Sequence, residues 1–404
     1  MMKLLTALLL PLLAGPLIRA AEAPLLDEHG NPAGFQTLEI GDAAPDFSLP
    51  GIDGRTWSLK HFADHEVLMV LFTSNHCPTS HSIEKRLQKL RDDYRDRGFG
   101  LVAIMPNHPD GIRIDELGYG EFNDSFEDMK PYAELNGWDF PYLYDGEKQT
   151  TARAYGCLAT PHVFLFDKDR RLRYAGRFDD SRFYDESTVK SPDARNAVEA
   201  LFAGRPVDVP LTRPMGCSTK WREKKAQKIA VAEAWQKLPV TMDTIDAKGV
   251  AALRANDTDK YRLVNVWATW CEPCVEEFPT LVSISRQYDM RNFELVTISM
   301  DQPEQQEKAK AFLQKQGAGL TRNVESSVKK EGRKTNHYVF TGAGQDELVA
   351  ALDKDWPGPL PHTVLIAPGG EIIWRHNGVI DGAKARSVIA TALTRYYSPP
   401  EPKE

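Results

Sequence analysis

The chain has 404 residues, of which 42% are hydrophobic and 26% are charged. This length exceeds one ordinary core and fits two domains of usual size, and the composition is that of a soluble globular protein. The net charge of −7 argues against a protein that binds nucleic acid through a basic surface, so we expect no nucleic-acid partner.

The first residues have the pattern of an export signal. Lys3 precedes a broken apolar run that ends near Ile18, and small residues follow it up to Ala23. This order is typical of a secretory signal peptide, which we place at residues 1–23, with a retained, uncleaved leader as the open alternative. Because no later stretch of the sequence is apolar enough to span a bilayer, we predict a periplasmic or secreted protein.

The first half of the sequence predicts a strand, a helix, a strand and a terminal hairpin. Val67–Phe72 and Phe99–Met105 are continuous apolar runs, which are typical of buried strands, and apolar side chains between them fall at helical spacing. Residues 107–126 are polar and aperiodic, so they predict an inserted loop. Residues 163–166 and 172–174 predict a hairpin.

The same order recurs in the second half. Apolar strands are predicted at residues 263–268 and 294–300 with an amphipathic helix between them, and a hairpin is predicted at residues 363–366 and 371–374. This pattern indicates an α/β fold with a cysteine at each strand-to-helix turn. Backbone N–H groups and the helix dipole stabilise a thiolate at such a turn.

A short sequence motif shared by the two halves indicates an internal duplication. Pro-His followed by an apolar strand occurs at Pro161 and again at Pro361, and a cysteine precedes each proline by 80 to 90 residues. We therefore predict two domains, at residues 39–205 and 240–396, joined by a proline-containing linker at residues 206–239.

The clearest chemical motif is the C-x-x-C formed by Cys271 and Cys274 after a buried strand. At this spacing Cys271 would attack a partner disulfide and Cys274 would resolve the mixed disulfide. A zinc site would need more ligands, and no further cysteine follows in the C-terminal half. Since Glu272 places negative charge beside the thiolate, we expect a reducing dithiol and not a strongly oxidising one.

The motif extends to Trp-Ala-Thr-Trp-Cys-Glu-Pro-Cys-Val-Glu-Glu-Phe-Pro at residues 267–279. In this respect residues 240–396 resemble the TlpA/ResA branch of exported thioredoxin-like reductases. The resemblance implies a thioredoxin-like fold, a glutamate that assists proton transfer, here Glu277, and a cis-proline facing the dithiol, here Pro361. The residue before that proline is usually Thr or Val in this family, whereas here it is Leu360. The alternative that Glu277 is an ordinary surface glutamate stays open.

Three motifs in the first half point to a related branch. They are Gly-Asp-Ala-Ala-Pro-Asp-Phe at 41–47, Asn-His-Cys-Pro at 75–78 and Gly-Cys-Ser-Thr-Lys-Trp at 216–221. Residues 39–220 thereby resemble the peroxiredoxin-like AhpC/TSA (redoxin) proteins, which implies a second thioredoxin-like fold, each fold being a mixed sheet flanked by helices. The resemblance also implies a peroxidatic or sensor thiol at Cys77. Ser74 fits the expected hydroxyl position, whereas Val70 stands where the family has proline.

The partner of Cys77 is left open by the sequence. Ser80 occupies the place where a C-x-x-C would carry its second cysteine, so Cys77 has no local partner. Cys157 lies just before Pro161, the expected cis-proline of the first domain, and could resolve Cys77 or be an ordinary buried thiol. Cys217 could pair with either cysteine or remain free.

A metal site is a weaker alternative for the same region. Cys77 and His81 are four residues apart on one helix face, with His76 adjacent and His162 beside the proline, and such groups could bind a thiophilic metal. Our main expectation is that the protein needs no cofactor.

These features predict an exported thiol–disulfide oxidoreductase with possible antioxidant activity at Cys77. Protein disulfides or peroxide would be its substrates, and an upstream thiol would be its reductant. The simplest hypothesis is that the Cys271–Cys274 dithiol reduces oxidised Cys77 in the same molecule. The alternative is a metal- or client-binding module whose dithiol only keeps its own cysteines reduced.

Overall fold

The computed structural model describes residues 26–399, and the predicted signal peptide at residues 1–23 lies outside these described residues. Two mixed sheets flanked by helices organise this part of the chain, so the predicted α/β class with two such folds is confirmed. Within residues 26–399 no helix combines the length and the apolar character needed to cross a membrane.

The first sheet has the strand order β5-β4-β3-β7-β8. Only β7 runs opposite to the other strands, so it pairs antiparallel with both β3 and β8, whereas β5, β4 and β3 pair in parallel. The elements of this half are β1 (Leu49–Pro50), β2 (Thr56–Trp57), β3 (Val67–Phe72), α1 (Pro78–Tyr94), β4 (Phe99–Met105), α2 (Phe126–Leu135), β5 (Tyr142–Tyr144), α3 (Thr150–Tyr155), β6 (Ala159–Thr160), β7 (His162–Phe166), β8 (Leu172–Gly176), α4 (Asp193–Phe202), β9 (Cys217–Ser218) and α5 (Lys225–Gln236).

The second sheet has the order β10-β13-β12-β11-β14-β15, in which only β14 runs opposite to the other strands and so pairs antiparallel with both β11 and β15. Its elements are β10 (Asp243–Ile245), α6 (Ala247–Ala255), β11 (Tyr261–Trp267), α7 (Glu272–Gln287), β12 (Phe293–Ser299), α8 (Gln306–Lys315), α9 (Arg322–Lys330), β13 (His337–Phe340), α10 (Gln345–Leu352), β14 (His362–Ile366), β15 (Ile372–Asn377) and α11 (Gly382–Leu393).

The sheets repeat one arrangement, since β4-β3-β7-β8 in the first corresponds to β12-β11-β14-β15 in the second. The predicted bounds of β3 and β4 match the structure, and those of the other predicted strands shift by one or more residues at their ends. Residues 107–125 form the expected loop, with short 3-10 turns at Pro109–Gly111 and Ile114–Leu117. Phe126, the predicted last residue of the loop, is instead the first residue of α2. The domain boundaries themselves stay predictions.

The continuous apolar run of β3 is explained by burial on both faces of the sheet. Val67, Met69 and Leu71 belong to the core that includes α1, and the alternate residues belong to a second core on the opposite face. Successive side chains of a strand point to opposite faces, so a central strand covered on both sides must be apolar throughout.

The two halves meet at the end of α7. The side-chain amide of Gln287 donates a hydrogen bond to the carbonyl of Leu117 at 3.1 Å, and the Arg291 guanidinium donates to the carbonyl of Gly118 at 2.5 Å. A Cβ on Gly118 would lie 2.7 Å from the Gln287 carbonyl oxygen, so the close approach requires glycine. Beyond α11, Arg395 contacts Glu84 of α1.

Candidate active site

The first candidate centre is the dithiol at the start of α7. Cys271 and Cys274 form a disulfide with an S–S distance of 2.00 Å and a Cα–Cα distance of 5.3 Å. Cys271 is the residue that precedes the helix, and Pro273 lies in the first turn, where a fixed φ and a missing N–H are tolerated. The Cys271 residue keeps 6% of its surface exposed and Cys274 none, so Cys271 is the sulfur that a partner would reach.

The loop around this dithiol presents two side chains to solvent. Trp270 is 65% exposed, and Glu272 is exposed as well. By contrast, the Trp267 ring is buried and packs against Phe278, with ring centroids 4.6 Å apart. The exposed indole beside a reachable sulfur forms an apolar contact surface at the site of exchange.

A cis-proline lies beside each cysteine segment. The Thr160–Pro161 and Leu360–Pro361 peptides are both cis. Each proline directly precedes a strand that pairs antiparallel with the strand leading to the cysteine. The pairs at the ends of these strands are Phe72 with His162 and Val266 with His362.

Glu277 is buried in α7, three residues after Cys274 and thus on the same helix face. Its carboxylate accepts hydrogen bonds from the Asn265 side chain at 2.7 Å and from the Ile380 backbone N–H at 2.8 Å. Asn265 also donates to the Thr363 hydroxyl at 3.0 Å. Burial raises the pKa of Glu277 to about 7, against the lowering effect of the two hydrogen bonds. The group can therefore gain or lose a proton near neutral pH.

The second candidate centre surrounds Cys77, which precedes α1 and is fully buried. Its thiol donates to the Thr160 carbonyl at 3.0 Å. The Ser74 hydroxyl lies 3.1 Å from the Thr160 hydroxyl, so Ser74 reaches the same residue. Val70 is a core residue of β3.

A buried His76–Asp124 pair adjoins Cys77. The ring Nδ1 of His76 lies 2.7 Å from the Asp124 carboxylate, which also accepts the backbone N–H of Asn75 at 2.8 Å and the Asn107 side chain at 2.6 Å. Burial alone would lower the pKa of His76, but the charge of Asp124 outweighs it and raises this pKa. The His76 Nε2 atom is buried and has no hydrogen-bond partner.

The surroundings of Cys77 favour its thiolate. Burial opposes ionisation, but contact with the Cys217 thiol, the charge of His76 and the backbone N–H of Ser80 outweigh it, and the pKa of Cys77 falls well below its usual value. The position at the start of α1 acts in the same direction.

The structure brings Cys217, and not Cys157, to Cys77. Cys217 is half-buried and pairs with Thr160 in the β6–β9 ladder. Cys157 is fully buried and instead contacts the Thr219 hydroxyl at 3.4 Å, and burial raises its pKa to about 12. All three cysteines are free thiols.

The metal alternative gains no support from the geometry. The two ring nitrogens of His81 lie 2.6 Å from the Asn75 carbonyl and 3.0 Å from the Arg395 carbonyl. Both ring nitrogens are thus occupied by carbonyl contacts, while burial and the nearby Arg395 charge lower the pKa of His81 to about 3. Among the residues that the structure describes, no three His, Cys, Asp or Glu side chains converge to hold a metal ion.

The two centres lie at different ends of α7. Cys271 precedes this 16-residue helix, which rises about 24 Å, whereas its last residue, Gln287, contacts the first half. Tyr119 lies near that same end, with the Arg291 guanidinium 4.0 Å from its ring centroid. Burial raises the pKa of Tyr119, and the nearby Cys217 sulfur adds to this rise. The Cys77 centre therefore adjoins the end of α7 that is remote from the dithiol.

Four residues that contact the two centres are not predicted from the sequence, namely Asn107, Asp124, Thr160 and Asn265. Asp124 and Asn107 come from the loop that was predicted only as polar and irregular. No local sequence signal marks Asp124, because the tertiary structure alone brings it to His76 across 48 residues.

Family models match both halves of the chain. Residues 40–175 match the model of the AhpC/TSA family, and residues 230–393 match the model named Redoxin. The thiol-disulfide oxidoreductase ResA of Oceanobacillus iheyensis is 28% identical over 143 residues, which are 35% of this chain and 56% of ResA. The chain thus spans about half the length of that relative.

Two further proteins are similar to part of the chain. A Mycobacterium tuberculosis protein named "Putative peroxiredoxin" is 27% identical over 30% of this chain and 66% of its own length. The crystal structure of a hypothetical protein from Sinorhizobium meliloti is 35% identical, covers 46% of this chain and 97% of its own chain, and has a TM-score of 0.41.

The fold and the family matches define the class of the chain as thioredoxin-like proteins. Within that class, an AhpC/TSA-family match is followed along the chain by a Redoxin-family match.

Proposed function

We propose that the chain is an exported thiol–disulfide oxidoreductase that reduces protein disulfides through Cys271 and Cys274. The observation that carries this proposal is the pairing of a reachable Cys271 with a buried Cys274 at the start of α7, with the protonatable Glu277 on the same helix face as Cys274. The signal-peptide pattern at residues 1–23 supports export, as does the similarity of the second half of the chain to ResA.

In the proposed reaction the Cys271 thiolate attacks one sulfur of the client disulfide and releases the other as a thiol. Cys274 then attacks the mixed disulfide, which releases the second client thiol and leaves Cys271–Cys274 oxidised. Attack requires Cys274 to lose its proton, and the Glu277 carboxylate on the same helix face accepts it. An upstream dithiol, or two thiols acting in succession, returns two electrons and two protons to the pair and is itself oxidised to a disulfide.

The first domain contributes Cys77 as a thiolate that a hydroperoxide or a disulfide can oxidise. The AhpC/TSA match and the lowered pKa of Cys77 support this role. The dithiol lies at the end of α7 that is remote from the first domain. An outside thiol, and not Cys271 of the same molecule, therefore reduces Cys77 in this proposal.

The proposal is tested by the reduction of insulin disulfides with dithiothreitol as the source of electrons. The intact chain should accelerate this reduction, and Cys271→Ser should abolish the acceleration. Cys157→Ser is the matched control, because this buried thiol lies in the other domain and should leave the rate unchanged. A Cys271→Ser chain as active as the intact one would refute the proposal.

A further inference from the structure

We propose that Cys77 and Cys217 form a second redox couple, in which Cys217 resolves oxidised Cys77 inside the first domain and independently of Cys271–Cys274. This inference rests on the proposed function only for the oxidation of Cys77, and it assigns the resolving residue that the proposed function leaves open.

Both cysteines converge on one residue, Thr160. The Cys77 sulfur lies 3.0 Å from the Thr160 carbonyl oxygen, and Cys217 is the antiparallel partner of Thr160 in the β6–β9 ladder. Directly paired residues of an antiparallel ladder have Cα atoms about 4.5–5.5 Å apart. A Cβ on Gly216 would lie 2.0 Å from the Thr160 carbonyl oxygen, so the glycine before Cys217 permits this approach.

The two sulfurs are unequal in a way that assigns their roles. Cys77 is the favoured thiolate, with His76 adjacent and the unpartnered His76 Nε2 buried beside the site. The pKa of Cys217 is raised because the Cys77 sulfur and burial both disfavour its charge. The group that meets the oxidant is therefore Cys77, and Cys217 acts afterwards, when Cys77 no longer carries a negative charge.

Exposure completes the assignment. Cys77 has no exposed surface, whereas Cys217 is half-buried. An outside thiol that reduces the couple would reach Cys217 first. Cys157 cannot fill this place without moving, since it is fully buried and its sulfur contacts Thr219 and the Ala159 carbonyl.

The proposed steps balance with a hydroperoxide as the oxidant. The Cys77 thiolate attacks the peroxide, the O–O bond breaks, and Cys77 sulfenic acid and one water form once the hydroxide takes a proton. The Cys217 sulfur then attacks the Cys77 sulfur, the S–O bond breaks, and a disulfide and a second water result. Two thiols and one hydrogen peroxide thus give one disulfide and two waters.

The test treats the full-length chain with one equivalent of hydrogen peroxide, blocks free thiols, and maps tryptic peptides by mass spectrometry. Cys77, Cys157 and Cys217 fall on separate peptides, residues 61–85, 154–168 and 196–220, because trypsin does not cut before Pro206 or Pro214. We expect residues 61–85 to be linked to residues 196–220.

Two variants make the assignment specific. In Cys217→Ser, Cys77 should remain a sulfenic acid that dimedone labels, and only one thiol should be lost per peroxide. In the matched control, Cys157→Ser, the linked peptides should form as in the unmodified chain. Cys217→Ala guards against an effect of the introduced hydroxyl, and near-ultraviolet circular dichroism checks the packing of each variant.

Several results would overturn the inference. They are a link between residues 61–85 and 154–168, a link between two chains, or a Cys217→Ser chain that still loses two thiols. The absence of any link with both hydrogen peroxide and diamide would overturn it as well. Repeating the mapping in Cys271→Ser separates the two proposals, because loss of insulin reduction with retained linkage leaves this inference standing.

Discussion

Cys271 and Gln287 stand at opposite ends of α7, and it is Gln287 that contacts the first domain, through the Leu117 carbonyl. The helix separates them by about 24 Å. The dithiol therefore lies at the end of α7 that is remote from this contact. The Cys77 centre adjoins the opposite end.

This separation predicts that the two centres turn over independently. With dithiothreitol as the reductant, hydrogen peroxide consumption by Cys271→Ser should stay within about twofold of that of the unmodified chain. Cys217→Ser should slow it strongly under the same conditions. A Cys271→Ser chain that has lost peroxide consumption would show that the dithiol supplies Cys77 with electrons.

Removing the buried carboxyl of Glu277 should slow disulfide exchange at neutral pH. Since the pKa of Glu277 is raised to about 7, Glu277→Gln should lose the inflection near pH 7 in the rate profile and be roughly tenfold to hundredfold slower at that pH. Glu276→Gln changes the neighbouring exposed residue and serves as the control. An unchanged profile in Glu277→Gln would assign this residue a structural role alone.

The Asp124 carboxylate should hold Cys77 in its thiolate form through His76. Asp124→Asn removes the charge that raises the pKa of His76, so the pKa of Cys77 should rise towards its usual value. A pH titration of the ultraviolet thiolate absorbance measures this shift. Glu127→Gln, which changes an exposed residue on the next helix, is the control and should leave the pKa of Cys77 unchanged. If Asp124→Asn gave the same titration curve as the unmodified chain, Asp124 would not act on Cys77 through the charge of His76.

The contact between Arg395 and Glu84 should make the junction of the domains sensitive to pH. The Arg395 guanidinium donates to both Glu84 oxygens, at 2.9 and 3.0 Å, while burial raises the pKa of Glu84 to about 7 in spite of that charge. A carboxyl whose pKa is raised on folding binds more protons in the folded state, so its contribution to stability falls as pH rises from about 4.5 to about 7.

Arg395→Gln should extend this loss to higher pH, because the pKa of Glu84 rises further without its partner. We expect a loss of about 3 kcal/mol at pH 8 and a smaller loss at pH 5, measured by urea unfolding. The exposed substitution Arg322→Gln should be neutral at both values. Equal losses at pH 5 and pH 8 in Arg395→Gln would contradict the role of Glu84.

The exposed Trp270 indole should bind client proteins. Trp270→Ala should raise the KM for insulin about fivefold or more and leave the reaction with a small disulfide unchanged, because interfacial tryptophans contribute more than about 1 kcal/mol when buried by a partner. Leu135→Ala, a comparably exposed apolar residue of the first domain, is the control. A KM that does not move would place the docking surface elsewhere.

Local sequence patterns were sufficient for the central strands and for the dithiol. Two-sided burial leaves no polar position in β3 or β4, so their bounds could be read directly from the apolar runs. The sulfurs of Cys271 and Cys274 lie within one helical turn, and a three-residue spacing encodes that proximity.

The first centre could not be predicted in the same way, since its contacts join distant parts of the chain. Asp124 is 48 residues from His76, and Cys217 reaches Thr160 through a ladder of two-residue strands that has no hydrophobic periodicity. A carboxylate in a polar loop also has the sequence signature of a solvent-exposed group. The choice between Cys157 and Cys217 therefore required the tertiary structure.

The most direct test of the central claim is the midpoint potential of Cys271–Cys274, measured by thiol trapping and mass spectrometry across a dithiothreitol gradient. The acidic Glu272 and the protonatable Glu277 disfavour a highly stabilised thiolate. We predict one two-electron transition near the value of a reducing thioredoxin, about −270 mV. A potential near about −120 mV, typical of a strong oxidant, or no titratable disulfide at all, would contradict the account.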